Sequence, residues 1–276
     1  EIASLFVYQP QGLYDMAYAE EIYARIEGLG QKNAFNQETI YLRAFNLEKL
    51  RDSQGAEKLY LQLIRLYPDT RHFDEAAYKI GMIEAYALAN INAARKYFEM
   101  LAAKTVFSPQ VISSFYQLGL LAQWEGNLVK AKEYYGLLLK NSADSYVTAM
   151  ALIKDRLKEI EENKQLDYNL KTFLDLSLKN ANPLVETGKA ELKSSSYLLD
   201  KDQKATISSL VQMPQSGCNQ VELQYLWSGD LGGASPAVTD GSFQCAYPDA
   251  GTKTINIVII SPAGTIDRFF TMVDVY

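Results

Sequence analysis

Histidine and cysteine are scarce in this chain: His72 stands alone, and only Cys218 and Cys245 carry thiols among 276 residues. A lone histidine with no serine or cysteine neighbour leaves no couple from which an activated nucleophile could be built. The ordinary role of such a residue is surface or capping. Two cysteines at this spacing match no zinc-ligand pattern. Basic excess is lacking too, since 27 Lys and Arg face 33 Asp and Glu for a net charge of −6. The acidic surplus is shared, with 19 basic against 21 acidic residues before Leu166 and 8 against 12 from there onward. Neither half offers the positive surface that phosphate backbones require, so no nucleic-acid partner is expected. No apolar run approaches the length of a membrane span, and no secretory leader is present. The chain opens on Glu1, and the expectation is a processed product or fragment, with membrane association running through an anchor upstream of it.

Chemistry-bearing clusters are equally sparse. Glu20 with Glu21, and Glu159 with Glu161 and Glu162, fall in helical charge runs that read as solvated faces. Asp200, Asp202, Asp230 and Asp240 offer oxygen ligands, but the Asp-rich glycine loop of an EF-hand is missing. The glycines of "GDLGG" do not sit between a strand and a helix, so they do not cradle phosphate. No catalytic, metal or cofactor constellation emerges, and the expectation is that the chain is not an enzyme.

Aromatics and small residues, by contrast, recur in register. Ala19, Tyr23 and Ile26 repeat as Ala56, Tyr60 and Leu63, as Ala93, Tyr97 and Met100, and as Ala131, Tyr135 and Leu138. The separations are 37, 37 and 38 residues. Offsets of four and seven place these residues on one helical stripe, where a small residue admits a neighbouring helix and the ring fills the space beside it. Ala44, Gly81 and Gly119 each precede the later alanines by twelve residues, across the polar breaks "DSQG", "LANIN" and "EGN". Each unit is therefore a helical hairpin, and hairpins repeated at fixed spacing stack as a solenoid.

These hairpins resemble the tetratricopeptide repeat (TPR) family, through Phe115, Leu118, Gly119, Gly126, Ala131 and Tyr135 and through Pro68 at the end of "AEKLYLQLIRLYP". The family period of about 34 residues is exceeded here, and the extra length must lie in the second helix or the loop after it. "YPDTRHFDEAAYKIG" is also similar to repeats of bacterial envelope proteins. After the fourth stripe, "DSYVTAMALIKDRLKEIEENK" reads as a capping helix with Met150, Ile153, Leu157 and Ile160 on one face. Residues 166–180 fit both a helix and a strand, with the helix preferred because Phe173 falls 38 residues after Tyr135.

Beyond "NANP" the pattern turns to short Thr-, Val- and Tyr-rich segments between turn clusters, as expected of an antiparallel sandwich. "YLWSGD" followed by "YPDAGTKTINIVIISPAGTIDRFFTMVDV" resembles the polycystic-kidney-disease (PKD) type of Ig-like module. That resemblance implies a core position for Trp227 and a meeting of Cys218 with Cys245. A bridge would close a 26-residue loop and contribute about 3 kcal/mol; two separate buried thiols are the alternative. The pair and the module type together point to an oxidising compartment. The expected fold is thus a multidomain all-α plus all-β chain: a TPR-like solenoid over 1–165, a capping helix or linker over 166–182, and an Ig-like β-sandwich over 183–276.

Within the TPR resemblance, first helices line a concave face, and its residues here are Tyr41, Phe45, Tyr78, Met82, Tyr86, Tyr116, Leu120 and Trp124. Aromatic anchors of this kind hold helical or extended peptides in grooves. Packing between neighbouring helices explains the same residues equally well. The expected function is a protein-binding scaffold of the bacterial cell envelope, periplasmic or at the cell surface, with a protein or peptide as partner. The competing expectation is a glycan-binding or adhesive protein acting through the β region.

Overall fold

The computed structural model describes residues 15–29, 35–141, 146–179, 189–212, 222–262 and 264–276. Among them nine helices precede seven strands: α1 (Met16–Gly28), α2 (Gln37–Lys49), α3 (Ser53–Leu66), α4 (Phe73–Tyr86), α5 (Ile91–Ala102), α6 (Pro109–Trp124), α7 (Leu128–Asn141), α8 (Val147–Glu161) and α9 (Tyr168–Leu178). The chain divides into two compact units, 1–101 and 102–276. Helices α6 to α9 therefore group with the strands, because α6 and α9 pack directly on the sheet that follows. Secondary structure changes class between Leu178 and Lys189, whereas compactness divides the chain after Leu101.

Hairpins form where the repeats place them, and their turns share one chemistry. Asp52, Asn90 and Asn127 each cap the second helix, accepting the N–H of Gly55 at 2.9 Å, Ala93 at 3.4 Å and Lys130 at 3.2 Å. Each turn also carries one residue in the left-handed region: Arg51 (φ 63°), Ala89 (φ 55°) and Gly126 (φ 83°). Closure is by a long backbone bond, Asp52 N–H to Leu47 O at 2.9 Å and Asn127 N–H to Ala122 O at 2.8 Å. In the middle hairpin Asn90 N–H reaches one residue further back, to Glu84 O at 2.7 Å. Its turn is longer: four residues separate α4 from α5, whereas three separate α2 from α3 and α6 from α7.

That one residue corrects the expected stripe on α5. Ala94, Phe98 and Leu101 are fully buried, while Ala93 and Tyr97 are half-buried and Met100 is 37% exposed. The buried alanines Ala19, Ala56, Ala94 and Ala131 are thus 37, 38 and 37 residues apart. The insertion turns α5 by about 100°, so the neighbouring residue of each kind enters the core. Side-chain chemistry follows the same shift. Tyr60 donates to Glu48 at 2.9 Å and Tyr135 to Gln123 at 3.1 Å, each twelve residues back. At the matching place in the middle hairpin both polar partners are gone together, leaving Phe98 and Ala85.

Close approach explains the small residues. A Cβ on Gly81 would lie 2.5 Å from Phe98 Cε1, and one on Gly119 would lie 2.4 Å from Tyr135 Cε1. The rings occupy the space a side chain would need.

The strands make two sheets. One is β1 (Lys189–Ser194), β3 (Ala205–Gln212) and β5 (Ser242–Cys245) in the order β1-β3-β5; the other is β2 (Leu198–Leu199), β4 (Gln224–Gly229), β6 (Gly251–Ser261) and β7 (Gly264–Val275) in the order β2-β7-β6-β4. A shared core joins them, with Leu192, Ile207 and Phe243 from the first meeting Trp227, Ile255, Ile257 and Val273 from the second. Trp227 meets Phe243 edge-on at 4.9 Å and donates its indole N–H to the Asp240 carbonyl at 2.7 Å. Two features depart from the expected antiparallel sandwich. β2 pairs with β7 in parallel, making the second sheet mixed, and the chain changes sheets between β1 and β2, at Ser195–Tyr197. Residues 168–178 are helical, initiated by the Asp167 carboxylate accepting Leu170 N–H at 3.1 Å. On α8, Ile153 and Ile160 are buried and Met150 and Leu157 half-buried.

Two glycines of unit 102–276 separate packing from propensity. Gly119→Ala should lower stability by about 1–2 kcal/mol through overpacking against Tyr135. Gly136→Ala, on α7 with nothing within 4 Å of its Cβ position, should raise it by about 0.5–1 kcal/mol through helix propensity. Thermal unfolding of both variants checks this, and a stabilised Gly119→Ala protein contradicts the seam.

Candidate interaction site

In the unit 1–101, the five residues expected in an open groove are covered. Tyr41, Phe45, Tyr78, Met82 and Tyr86 are all buried, the least so being Tyr86 at 6% exposure. Tyr41 donates its hydroxyl to Glu75 and stacks on His72 at 4.0 Å between ring centres. His72, at the N-terminus of α4, meets Glu38 through Nε2 at 2.9 Å. Phe45 has the Lys49 and Lys79 ammonium groups each 4.7 Å from its ring centre. Glu48 bonds Lys49 and lies 3.3 Å from Lys79, which also stands 3.5 Å from Glu75. Two lysines and two glutamates thus cap the aromatics with balanced charge, so these rings pack rather than line a free surface. Tyr78 contributes a further ring pair with Phe98 at 5.9 Å.

The unit 102–276 differs. Leu120 is buried, but Tyr116 and Trp124 retain accessible surface. The Trp124 indole donates to Asp175 of α9 at 2.8 Å, and Lys179 stands 6.0 Å over its ring. The preceding residue, Gln123, donates to Glu159 of α8 at 3.0 Å while accepting from Tyr135, and Arg156 pairs with Glu159 at 3.0 Å. The Arg156 Nε and Nη1 atoms are buried without a hydrogen-bond partner among the described residues. Burial is the first cause that pushes the Tyr116 phenol up to about 12, followed by the opposing Arg156 charge and by Asp230. Asp230, just after β4, is likewise pushed up to about 6, by burial first, then by Asp249 against the opposing Lys253. Burial also raises Glu159. Tyr116 and Asp230 keep some surface yet are strongly desolvated.

A satisfied clamp lies beside Asp230. Asp249 accepts the Thr148 hydroxyl at 2.7 Å and the Lys253 ammonium at 3.2 Å, joining the start of α8 to the turn before β6. Sequence reasoning missed Gln123, Arg156 and this clamp, and it read Glu159 as a solvated charge and Asp230 as an oxygen ligand without a loop to complete it. For Gln123 a signal existed, because Glu48 and Gln123 both precede their tyrosines by twelve residues. The others are joined only by the fold.

The remaining candidates sit apart. Cys245 is buried on β5 with its thiol 3.7 Å from the Ala205 carbonyl, and burial raises its pKa. Cys218 lies outside the described residues, and so does the expected bridge. Asp240 accepts the Ala237 N–H at 2.8 Å as a turn residue. Among the described residues no three His, Cys, Asp or Glu side chains gather to hold a metal, and no helix is long and apolar enough to cross a membrane. A cleft of about 640 Å³ near the start of β4, with Tyr225, Val238 and Ile260 in its wall, has Glu222 as its one charged lining residue among those described.

The raised Asp230 carboxyl has a definite pH consequence. Its folded pKa exceeds its ordinary value, so the folded state favours the protonated form and loses stability as pH rises from about 4 through about 6. Asp230→Asn should therefore stabilise the protein at pH 7.5 by roughly 1–3 kcal/mol, allowing for the surface Asp230 keeps in water, and change little at pH 4.5. Melting curves at the two pH values check this; destabilisation at pH 7.5 contradicts it.

Comparison with known proteins places part of this architecture. Residues 38–70 match the tetratricopeptide repeat family model, a stretch that covers α3 and all but the first residue of α2. No curated protein matches the sequence. Among solved structures the chain is similar to that of the Pseudomonas fluorescens alkylpurine DNA glycosylase AlkC bound to DNA containing an abasic site analog, at 9% identity and a TM-score of 0.26, covering 99% of this chain and 94% of that one. Because that structure is of an enzyme, the expectation of a non-enzyme is withdrawn. A TM-score of 0.26 carries no argument about reaction or ligand. One tetratricopeptide repeat, residues 38–70, thus lies in a run of helices that is followed by a β-rich region.

Proposed function

We propose that the chain binds a segment of a partner protein through its tetratricopeptide-type helices, at a recess on α6 where Tyr116 lies near Arg156, Glu159 and Asp230, with Trp124 two turns further along. The observation that carries this reading is Arg156: a guanidinium this deeply buried, with Nε and Nη1 lacking partners among the described residues, is costly unless another acceptor arrives. A partner's carbonyl or carboxylate oxygen would supply it. Asp230 would accept an N–H from the same segment, and the Tyr116 and Trp124 rings would give it an apolar bed. The groove is thereby narrowed from the eight-residue stripe to its α6 part.

Location in the bacterial envelope, and an Ig-like module of PKD type acting as spacer, belong to the same proposal. Their support is the similarity of "YPDTRHFDEAAYKIG" to envelope repeats and of "YLWSGD" with "PDAGT" to that module.

Photo-cross-linking tests the site. A photoreactive phenylalanine analogue replacing Tyr116 should form an adduct with one partner from the native source, whereas the same group replacing Tyr168, 68% exposed on α9, should not. Arg156→Gln should cut adduct yield about tenfold while leaving the helical circular-dichroism signal intact. Equal adducts from both positions, or indifference to Arg156→Gln, would overturn the assignment.

A further inference from the structure

Strand β6 carries a pattern at odds with its surroundings. Ile255, Ile257 and Ile259 point into the core between the sheets, while Thr252, Thr254, Asn256 and the fully buried Val258 alternate with them along the strand and point the other way. As far as Asn256 such polar alternation is the mark of a sheet with one face in water, and only at Val258 and its partner Leu226 does that face turn apolar. Here that face is covered instead, by α6 and α9, and Thr254, Asn256 and the adjacent Ser228 of β4 are all more than nine-tenths buried. Ser228 and Asn256 stand directly opposite each other in the ladder. Ser228 Oγ, Thr254 Oγ1 and Asn256 Oδ1 have no hydrogen-bond partner among the described residues, and neither has Ser177 Oγ on the covering helix α9. A dry helix-on-sheet contact would place apolar groups at these positions.

The two ends of the contact are unequal. Towards the start of β6 it is tight and satisfied: Gly251, at φ 118°, lets the backbone approach Pro109, since a Cβ there would lie 2.7 Å from Pro109 Cβ. The Asp249 clamp to Thr148 and Lys253 is beside it, and Thr252 donates to Asp274 at 2.7 Å. Further along, the unmatched oxygens begin, and the described side-chain bond from α9 to the sheet is Asn169 to the Trp227 carbonyl at 3.0 Å. We infer that the four-stranded sheet and α9 separate reversibly, hinging about the Asp249–Thr148–Lys253 clamp, and that this opening wets the Ser228–Thr254–Asn256 face while admitting a partner segment to the α6 recess.

The final clause rests on the function proposed above; the opening itself does not. Local opening with a satisfied hinge and an under-satisfied seam is the pattern of a low-stability cooperative unit within a stable fold.

Amide hydrogen exchange on the full chain tests the inference. In the unaltered protein the α9 amides of 171–178 should exchange together, about a hundredfold faster than the β6–β7 ladder amides of Ile255 and Ile257. Filling the seam with apolar isosteres, Ser228→Ala with Thr254→Val and Asn256→Leu, should slow α9 exchange about tenfold and leave the ladder unchanged. If α9 exchanges only with the ladder, or if the filled variant exchanges faster because ordered water satisfies those oxygens in a permanently closed seam, the inference fails. A filled variant whose α9 exchange slows but whose cross-linking from position 116 is undiminished would keep the hinge and refute the recess as the partner's site.

Discussion

Everything in the helical part depends on a ring lying flat against a residue with no side chain to spare. Gly81 under Phe98 and Gly119 under Tyr135 bring paired helices close enough for the ring to fill the gap, and neither partner tolerates growth. Hairpin turns then decide which ring is presented. An Asx residue capping the second helix and one left-handed residue before it set the turn, so a single inserted residue rotates the whole of α5. The exchange of Tyr with Glu or Gln for Phe with Ala follows that rotation. Local chemistry and tertiary packing agree at this seam, which is how repeats hold a common form over divergent sequence.

Polar burial separates the two units. Around Phe45, the buried charges Lys49, Lys79, Glu48 and Glu75 balance one another, an arrangement that fixes the register of α2 against α4 and closes the surface. Around Tyr116, the guanidinium of Arg156 and the carboxyl of Asp230 are desolvated without full compensation, and the sheet nearby buries hydroxyls without described partners. Incomplete satisfaction is expensive in a static structure and useful in one that binds or opens.

Much of the fold was legible in the residues. Ala56, Tyr60 and Leu63, and Ala131, Tyr135 and Leu138, enter the core as their spacing demands, and the change from helix to strand follows "NANP". The α5 stripe was misplaced by one because "AARKYFEML" contains two overlapping sets at the same offsets, Ala93–Tyr97–Met100 and Ala94–Phe98–Leu101. Only the length of the preceding turn distinguishes them. The parallel β2–β7 pair was illegible, since two residues of strand carry no periodicity. Of the candidate site, Tyr116 and Trp124 were within reach of the repeat pattern. Burial of Tyr41, Phe45 and Tyr78 was one of two readings left level there, because the lysines and glutamates around Tyr41 and Phe45 are told from solvated charges only once the helices are stacked. Arg156 and Asp230 are 74 residues apart and share no motif.

The register of α5 offers the most direct measurement of the central claim. If turn length places Phe98 rather than Tyr97 against Gly81, then Phe98→Ala lowers the unfolding free energy of the helical repeats by about 3–5 kcal/mol. Tyr97→Ala, at a half-buried position outside the seam, lowers it by only about 1 kcal/mol. Denaturant titrations of the two variants give that result if the account holds; equal losses, or the larger loss from Tyr97→Ala, contradict it.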